Sequence, residues 1–224
     1  MAEPRASTLL LRNVPLLASL SEAQFEAVAK VAQRRLVRRG AAIIAAGDRP
    51  RCLYMIVSGV AQAVMSDREG NNVILAILKA GDYFGEMEML EDLPLAASIL
   101  AREPCDILTL GKLQFSRCLE ENFEMAMTVL RGMARRLREA DSRIGSLALH
   151  GVDARLAKFL LQEAEWVDGA RIVNGRYSKR DIGRMIGASR ECVSRVMKQM
   201  QVRGSIEERG NSIVLRERIL SLQC

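Results

Sequence analysis

The chain has 224 residues, of which 49% are apolar and 27% charged, with a net charge of +6. That length holds one large domain or two small ones around a sizeable core, and apolar runs such as residues 73–78 are far too short to span a bilayer. Five scattered cysteines without a CxxC pair and a single histidine, His150, argue against zinc, a cysteine-only iron–sulfur cluster, a disulfide framework and histidine-based catalysis.

The first segment, MAEPRASTLLLRNVPLL, has no cleavage-site pattern and puts Arg12 and Pro15 where a signal peptide needs an apolar core, so a cytoplasmic location is expected. Ser21 precedes EAQFEAVAKVAQRR with Gln24 three residues on, the pattern of a helix-starting capping box. From about Arg35 to Leu110, short β-rich segments alternate with glycine turns, which predicts an antiparallel sandwich or barrel. Inside it, GDYFGEMEMLEDLPLAAS opens as a glycine-rich, acidic turn of the kind that holds a phosphosugar. It then runs into Leu95, Ala96 and Ala97, where an anion site needs a cation and a hydroxyl.

A long helical stretch is expected from Lys112 to Leu149. Phe123, Met127, Leu130, Ala134, Leu137, Asp141, Ile144 and Ala148 recur at alternating spacings of four and three, a heptad seam. Such a stripe packs either on the chain's own β domain or on a second copy of the helix; its length and regularity favour a parallel dimer. Asp141 interrupts the seam and reads as a site or a register device.

Beyond Gly151 the pattern changes. VDARLAKFLLQEAEW is an amphipathic helix, and ARIVNGRY carries an Asn-Gly turn signal. Ser178 caps a helix with Ile182, Met185 and Ile186 on its inner face, Gly187 supplies a turn, and Ser189 caps a second helix with Val193, Val196, Met197 and Met200 inward. SIEERGNSIVL reads as two strands around Arg209-Gly210-Asn211, a wing. Together these make a winged helix-turn-helix. Arg190, Glu191 and Arg195 project from the second helix, where arginine suits a guanine edge and glutamate a cytosine amine. Ser178, Lys179, Arg180, Ser189, Lys198 and Arg209 suit phosphate contacts. Charge agrees: residues 151–224 hold 14 Lys and Arg against 9 Asp and Glu, whereas the first 150 hold 19 against 18. A basic, solvated surface would give the same balance, but without the helix, turn and wing.

In that order, LYMIVSGVAQAVMSDREGNNVILAILKAGDYFGEMEML, MARRLREADSRIGSLAL and SKRDIGRMIGASRECVSRVMKQM resemble the CRP/FNR superfamily of bacterial transcription regulators. The resemblance implies an α+β chain with an N-terminal β-roll, a cyclic-nucleotide-binding-like jelly roll (1–111), a long dimerisation helix (112–150) and a C-terminal winged helix-turn-helix (151–224). It implies a homodimer on double-stranded DNA that reads a TGTGA-like palindrome through Arg190, Glu191 and Arg195, works with RNA polymerase, needs no membrane and is not an enzyme. The candidate ligand pocket comprises Gly85, Glu86, Leu95, Ala96, Arg138 and Asp141. Cyclic-AMP-binding members follow the Gly-Glu turn with a Pro-Arg-Ser-type clamp and present Thr-Ser from the long helix. Here Pro94 precedes Leu95-Ala96-Ala97, and Ala140-Asp141 stands for Thr-Ser. These departures argue against cyclic AMP in its usual pose; separately, no cysteine cluster precedes Cys52 and candidate haem ligands are scattered, so no resident cofactor is expected. The departures leave the effector unidentified and cyclic di-GMP open, with Arg135, Arg136, Arg138 and Arg143 as a basic surface that would attract a dinucleotide.

Overall fold

In the computed structural model, which describes residues 8–174, 177–210 and 212–222, the capping box at Ser21 forms in full. Ser21 Oγ accepts from the Gln24 amide at 3.3 Å, and Gln24 Oε1 accepts from the Ser21 amide at 3.0 Å. This pair starts helix α2 (Glu22–Val31), which follows the short helix α1 (Thr8–Arg12).

Eight strands come next: β1 (Gln33–Val37), β2 (Ala42–Ile44), β3 (Cys52–Ser58), β4 (Ala61–Ser66), β5 (Asn72–Leu78), β6 (Tyr83–Phe84), β7 (Ser98–Ala101) and β8 (Cys105–Gly111). They form two four-stranded antiparallel sheets, ordered β1-β8-β3-β6 and β2-β7-β4-β5. The unbroken apolar run of β3 follows from burial on both faces of its sheet. Tyr54 and Ile56 join Ile43, Ala61, Leu78, Ile99 and Ile107 in the core between the sheets. The alternating residues Leu53 and Met55 join Leu108 and Leu110 in a second core, under the helices. Gly59 is required where it stands: its φ is +90°, and a Cβ there would lie 2.1 Å from the Pro104 carbonyl oxygen.

Helix α3 (Glu86–Glu91) is inserted between β6 and β7. After β8 the expected continuous helix is two, α4 (Lys112–Glu121) and α5 (Phe123–Leu149). Asn122 breaks it. Its backbone is extended, and its Oδ1 accepts from the Met125 amide at 2.8 Å, so the side chain caps α5.

The chain divides into two compact units, residues 1–136 and 137–224, with the boundary inside α5. The second unit holds helix α6 (Val152–Glu163), strands β9 (Glu165–Val167) and β10 (Ala170–Asn174), helices α7 (Lys179–Ile186) and α8 (Arg190–Val202), and strands β11 (Ile206–Arg209) and β12 (Ser212–Leu215). The strands form one antiparallel sheet, β11-β12-β10-β9. Its first hairpin turns at Asp168-Gly169, both at positive φ (48° and 77°), an Asp-Gly signal of the two-residue turn that the sequence reading passed over. Of the turns read from sequence, Gly175 and Asn211 lie outside the described residues, as does Cys224. Leu156, Leu160, Ile182, Ile186, Val193, Met197, Met200, Ile206 and Leu215 fill the core. Among the described residues no helix is long and apolar enough to cross a membrane, and no group of three or more His, Cys, Asp or Glu is placed to hold a metal.

Candidate functional site

The helix-turn-helix is assembled by three local devices. Ser178 Oγ accepts from the Asp181 amide at 3.1 Å, while Asp181 Oδ2 accepts from the Ser178 amide at 3.3 Å, which fixes the start of α7. Gly187, at φ +66°, ends it. Gly183 lets the turn close, since a Cβ there would lie 2.5 Å from the Ala188 carbonyl oxygen. Ser189 Oγ then accepts from the Cys192 amide at 3.1 Å and starts α8. Both Ser178 and Ser189, read as phosphate contacts, therefore have their hydroxyls engaged in capping.

Helical periodicity sorts the residues of α8. Val193, Val196, Met197 and Met200 are buried, and Arg190, Glu191, Arg195 and Lys198 are exposed on the opposite face. Arg195 Nη2 lies 3.6 Å from Cys192 Sγ. A groove on α8 is lined by Arg195, Lys198, Gln199, Val202 and Arg203. The predicted base-reading trio thus shares one accessible helix face.

The predicted phosphate cations differ in their surroundings. Arg180 and Lys198 have no carboxylate partner among the described residues. Lys179 Nζ is 3.2 Å from Glu208 Oε1, and Arg209 Nε is 2.7 Å from Glu207 Oε1, with Arg216 also paired to Glu207. Hydrogen bonds from Arg209 and Arg216 hold the Glu207 carboxyl below its ordinary range, and the same bond with Glu207 raises the Arg209 guanidinium.

In the first unit the Gly85-Glu86 turn is intact. Gly85 (φ +90°) begins α3 where a Cβ would lie 3.0 Å from the Cys52 carbonyl oxygen. Glu86 is fully buried, and Arg136 of α5 is paired to its Oε1. Arg136 Nη2 also donates to the Tyr83 carbonyl at 2.5 Å, and its guanidinium lies 5.1 Å from the Tyr83 ring centre. Burial pushes the Glu86 carboxyl up, and the Arg136 charge opposes this. Glu86 Oε2 and Tyr83 Oη are buried without hydrogen-bond partners. Gly132 opens the space that Tyr83 fills: a Cβ there would sit 2.3 Å from Tyr83 Oη. Leu95 is buried in the core between the sheets, and Ala97 is buried beside it in sequence, whereas Ala96 is exposed. Arg138 and Asp141 belong to the second unit, and both are exposed.

The role of Arg136 was missed in the sequence, where it was grouped with a basic surface. The inner face of α5 gave the signal. Met125 and Val129 are buried and Met133 packs on the same core, and helical spacing places Arg136 on that face. The seam lies elsewhere on the helix. Phe123 is 73% exposed, Leu130 56%, Leu137 64% and Ile144 65%, while Ala134 and Asp141 are exposed and Met127 is half-buried. Within the first unit, therefore, Phe123 and Leu130 of the heptad stripe are not what packs on the β-roll. Among the cysteines, Cys105 and Cys118 are buried, and burial raises both thiols.

Comparison with known proteins agrees with this geometry. The cyclic nucleotide-binding domain model matches residues 34–122, and the Crp-like helix-turn-helix domain model matches residues 154–219. The chain is 30% identical over 189 residues to the cAMP-activated global transcriptional regulator Vfr of Pseudomonas aeruginosa, covering 81% of this chain and 88% of Vfr. It shares the fold of a CooA mutant from Carboxydothermus hydrogenoformans (TM-score 0.79, 20% identity, 94% of each chain). It also shares that of the c-di-GMP responsive global regulator CLP of Xanthomonas campestris (TM-score 0.73, 20% identity, 87% of this chain and 99% of CLP).

Proposed function

This chain belongs to the CRP/FNR family of DNA-binding transcription regulators, and from that premise we propose that it is a homodimer whose paired α8 helices read a TGTGA-like palindrome. One observation carries the reading. Arg190, Glu191 and Arg195 stand together, exposed, on the first turns of a capped helix whose opposite face is buried. That is the arrangement a major groove accepts. Lys198 and Arg180 supply phosphate contacts beside them. The exposed stripe Phe123, Leu130, Leu137 and Ile144 is the face we assign to the partner copy, with Asp141 setting register. The working division is a sensor (1–111), a dimerisation segment (112–150) and a DNA-binding domain (151–224). The protein acts in the cytoplasm through RNA polymerase and has no catalytic role.

We further propose that its activity does not depend on cyclic AMP in the pose usual for the family. The carboxylate that would meet the ribose is already paired with Arg136, and Leu95 and Ala97 are buried where the phosphate clamp would stand. A second reading, a pocket retuned for cyclic di-GMP or another nucleotide, draws support from Tyr83 Oη and Glu86 Oε2, polar atoms left without partners.

Selection of bound duplexes from a random library, run with the wild type and with Arg190→Ala, tests the base-reading role. The wild type should enrich a palindrome, and Arg190→Ala should lose preference at one base pair per half-site, about 1–3 kcal/mol of discrimination. Enrichment of the same site by both proteins refutes the assignment.

A further inference from the structure

The wing carries two glutamates that no part of base reading uses. Glu207 and Glu208 are adjacent on β11, and between them they pair with Arg209, Arg216 and Lys179. Two of these three cations, Lys179 and Arg209, are ones that a winged helix-turn-helix would turn toward phosphates. The Glu208–Lys179 pair also links the wing to the first residue of α7.

We propose that Glu207 and Glu208 set the protein's sequence-independent affinity for DNA by holding Lys179, Arg209 and Arg216 in internal ion pairs, an inference that rests on the DNA-binding reading above. Sequence-independent affinity comes from cations that neutralise phosphates and release counterions, and it scales as the salt concentration to the power of about −0.9 for each phosphate neutralised. A cation already neutralised by a carboxylate a few ångströms away releases little on contact. The carboxylate itself is repelled by the phosphate it approaches. The wing of this protein therefore supplies shape with little net charge. Sequence-independent attraction is left to unpaired cations such as Lys198 and Arg180, and discrimination to Arg190, Glu191 and Arg195. Because the pairs are exposed they contribute little to folding, so the isosteric change Glu→Gln removes the charge without unfolding the wing.

The test measures binding of the full-length protein to a random-sequence duplex across about 50 to 200 mM salt, a range over which phosphate contacts dominate the response. Glu207→Gln/Glu208→Gln should steepen the slope of log K against log salt by about 1 for each freed cation that meets a phosphate. At about 0.1 M salt this corresponds to about eightfold tighter binding per freed cation. Glu217→Gln makes the same single-charge change as either wing substitution alone, at a residue that pairs with none of the three cations, and should leave the slope unchanged. Arg209→Gln should alter the slope little in the wild type and lower it in the Glu207→Gln background. An unchanged slope in the double wing variant overturns the inference, as does an equal change in Glu217→Gln. If the wild type binds no duplex at all, the DNA-binding reading falls and takes this inference with it.

Discussion

Replacing Arg136 with Met should destabilise the first unit in a pH-dependent way. Glu86 is fully buried and Arg136 is its cation; the Arg136 side chain is 31% exposed and also donates to the Tyr83 carbonyl. Breaking a buried pair from one side costs about 3–5 kcal/mol because the remaining charge is uncompensated. The partial exposure of Arg136 places this case at the lower end, about 3 kcal/mol. The pH dependence follows from the same burial. The Glu86 carboxyl is already raised above its ordinary value of 4.5 by desolvation, and the opposing Arg136 charge would be gone. An acid whose folded value lies above its unfolded one favours folding most below the unfolded value, and that advantage is lost as pH rises through the folded value. The deficit of Arg136→Met relative to the wild type should therefore be small at about pH 4 and full at about pH 8. Urea unfolding followed by circular dichroism at the two pH values measures it, and Glu86→Gln/Arg136→Met should recover most of the loss at the higher pH. A deficit below about 1 kcal/mol, or one equal at both pH values, refutes the claim that Glu86 is a buried carboxylate held by Arg136.

Two further predictions follow from the same helix. Leu130→Glu/Leu137→Glu should leave the circular dichroism spectrum intact, because both side chains are more than half exposed. In sedimentation equilibrium it should bring the mass down to the 24.8 kDa of one chain; a wild type already at that mass refutes the dimer. Gly132→Ala places a methyl 2.3 Å from Tyr83 Oη and should cost about 1–3 kcal/mol in urea unfolding. In a Tyr83→Phe background the nearest atom is the ring carbon at 3.4 Å, so the cost should largely disappear.

What the sequence made legible was whatever local chemistry fixes. The capping box at Ser21, the caps at Ser178 and Ser189, the turn at Gly187 and the inner faces of α7 and α8 depend on residues within a few positions of one another, and they were read correctly; that Asp181 closes a full box at Ser178 was not foreseen. The sandwich was visible as short β-rich segments between glycine turns, but β1 begins at Gln33, inside the run read as helix, and β6 (Tyr83–Phe84) lies inside the segment read as a turn. The division of β3 between two cores was not visible, because a strand buried on both faces shows no polar period. The break at Asn122 was missed because a capping asparagine inside an apolar pattern looks like an ordinary surface residue. The Glu86–Arg136 pair spans fifty residues in sequence, and only tertiary packing brings it together. The second half of the 81–98 segment was read as a lost phosphate clamp; its Leu95 and Ala97 are buried, a tertiary fact that the local sequence does not carry. The wing pairs escaped notice for the opposite reason. Charges that look like a solvated basic surface in the sequence turn out to be partnered along β11 (Arg209–Glu207), across the hairpin (Arg216–Glu207) and onto α7 (Lys179–Glu208).

The most direct test is an anisotropy titration of the full-length protein on a labelled TGTGA-type palindrome and on a scrambled duplex of equal composition, with and without cyclic AMP, cyclic GMP and cyclic di-GMP. The account predicts that the palindrome binds at least about 10³-fold tighter than the scrambled duplex, and that micromolar cyclic AMP leaves both curves unchanged. Equal affinity for the two duplexes would contradict the base-reading assignment, and tightening by micromolar cyclic AMP would contradict the account of the pocket.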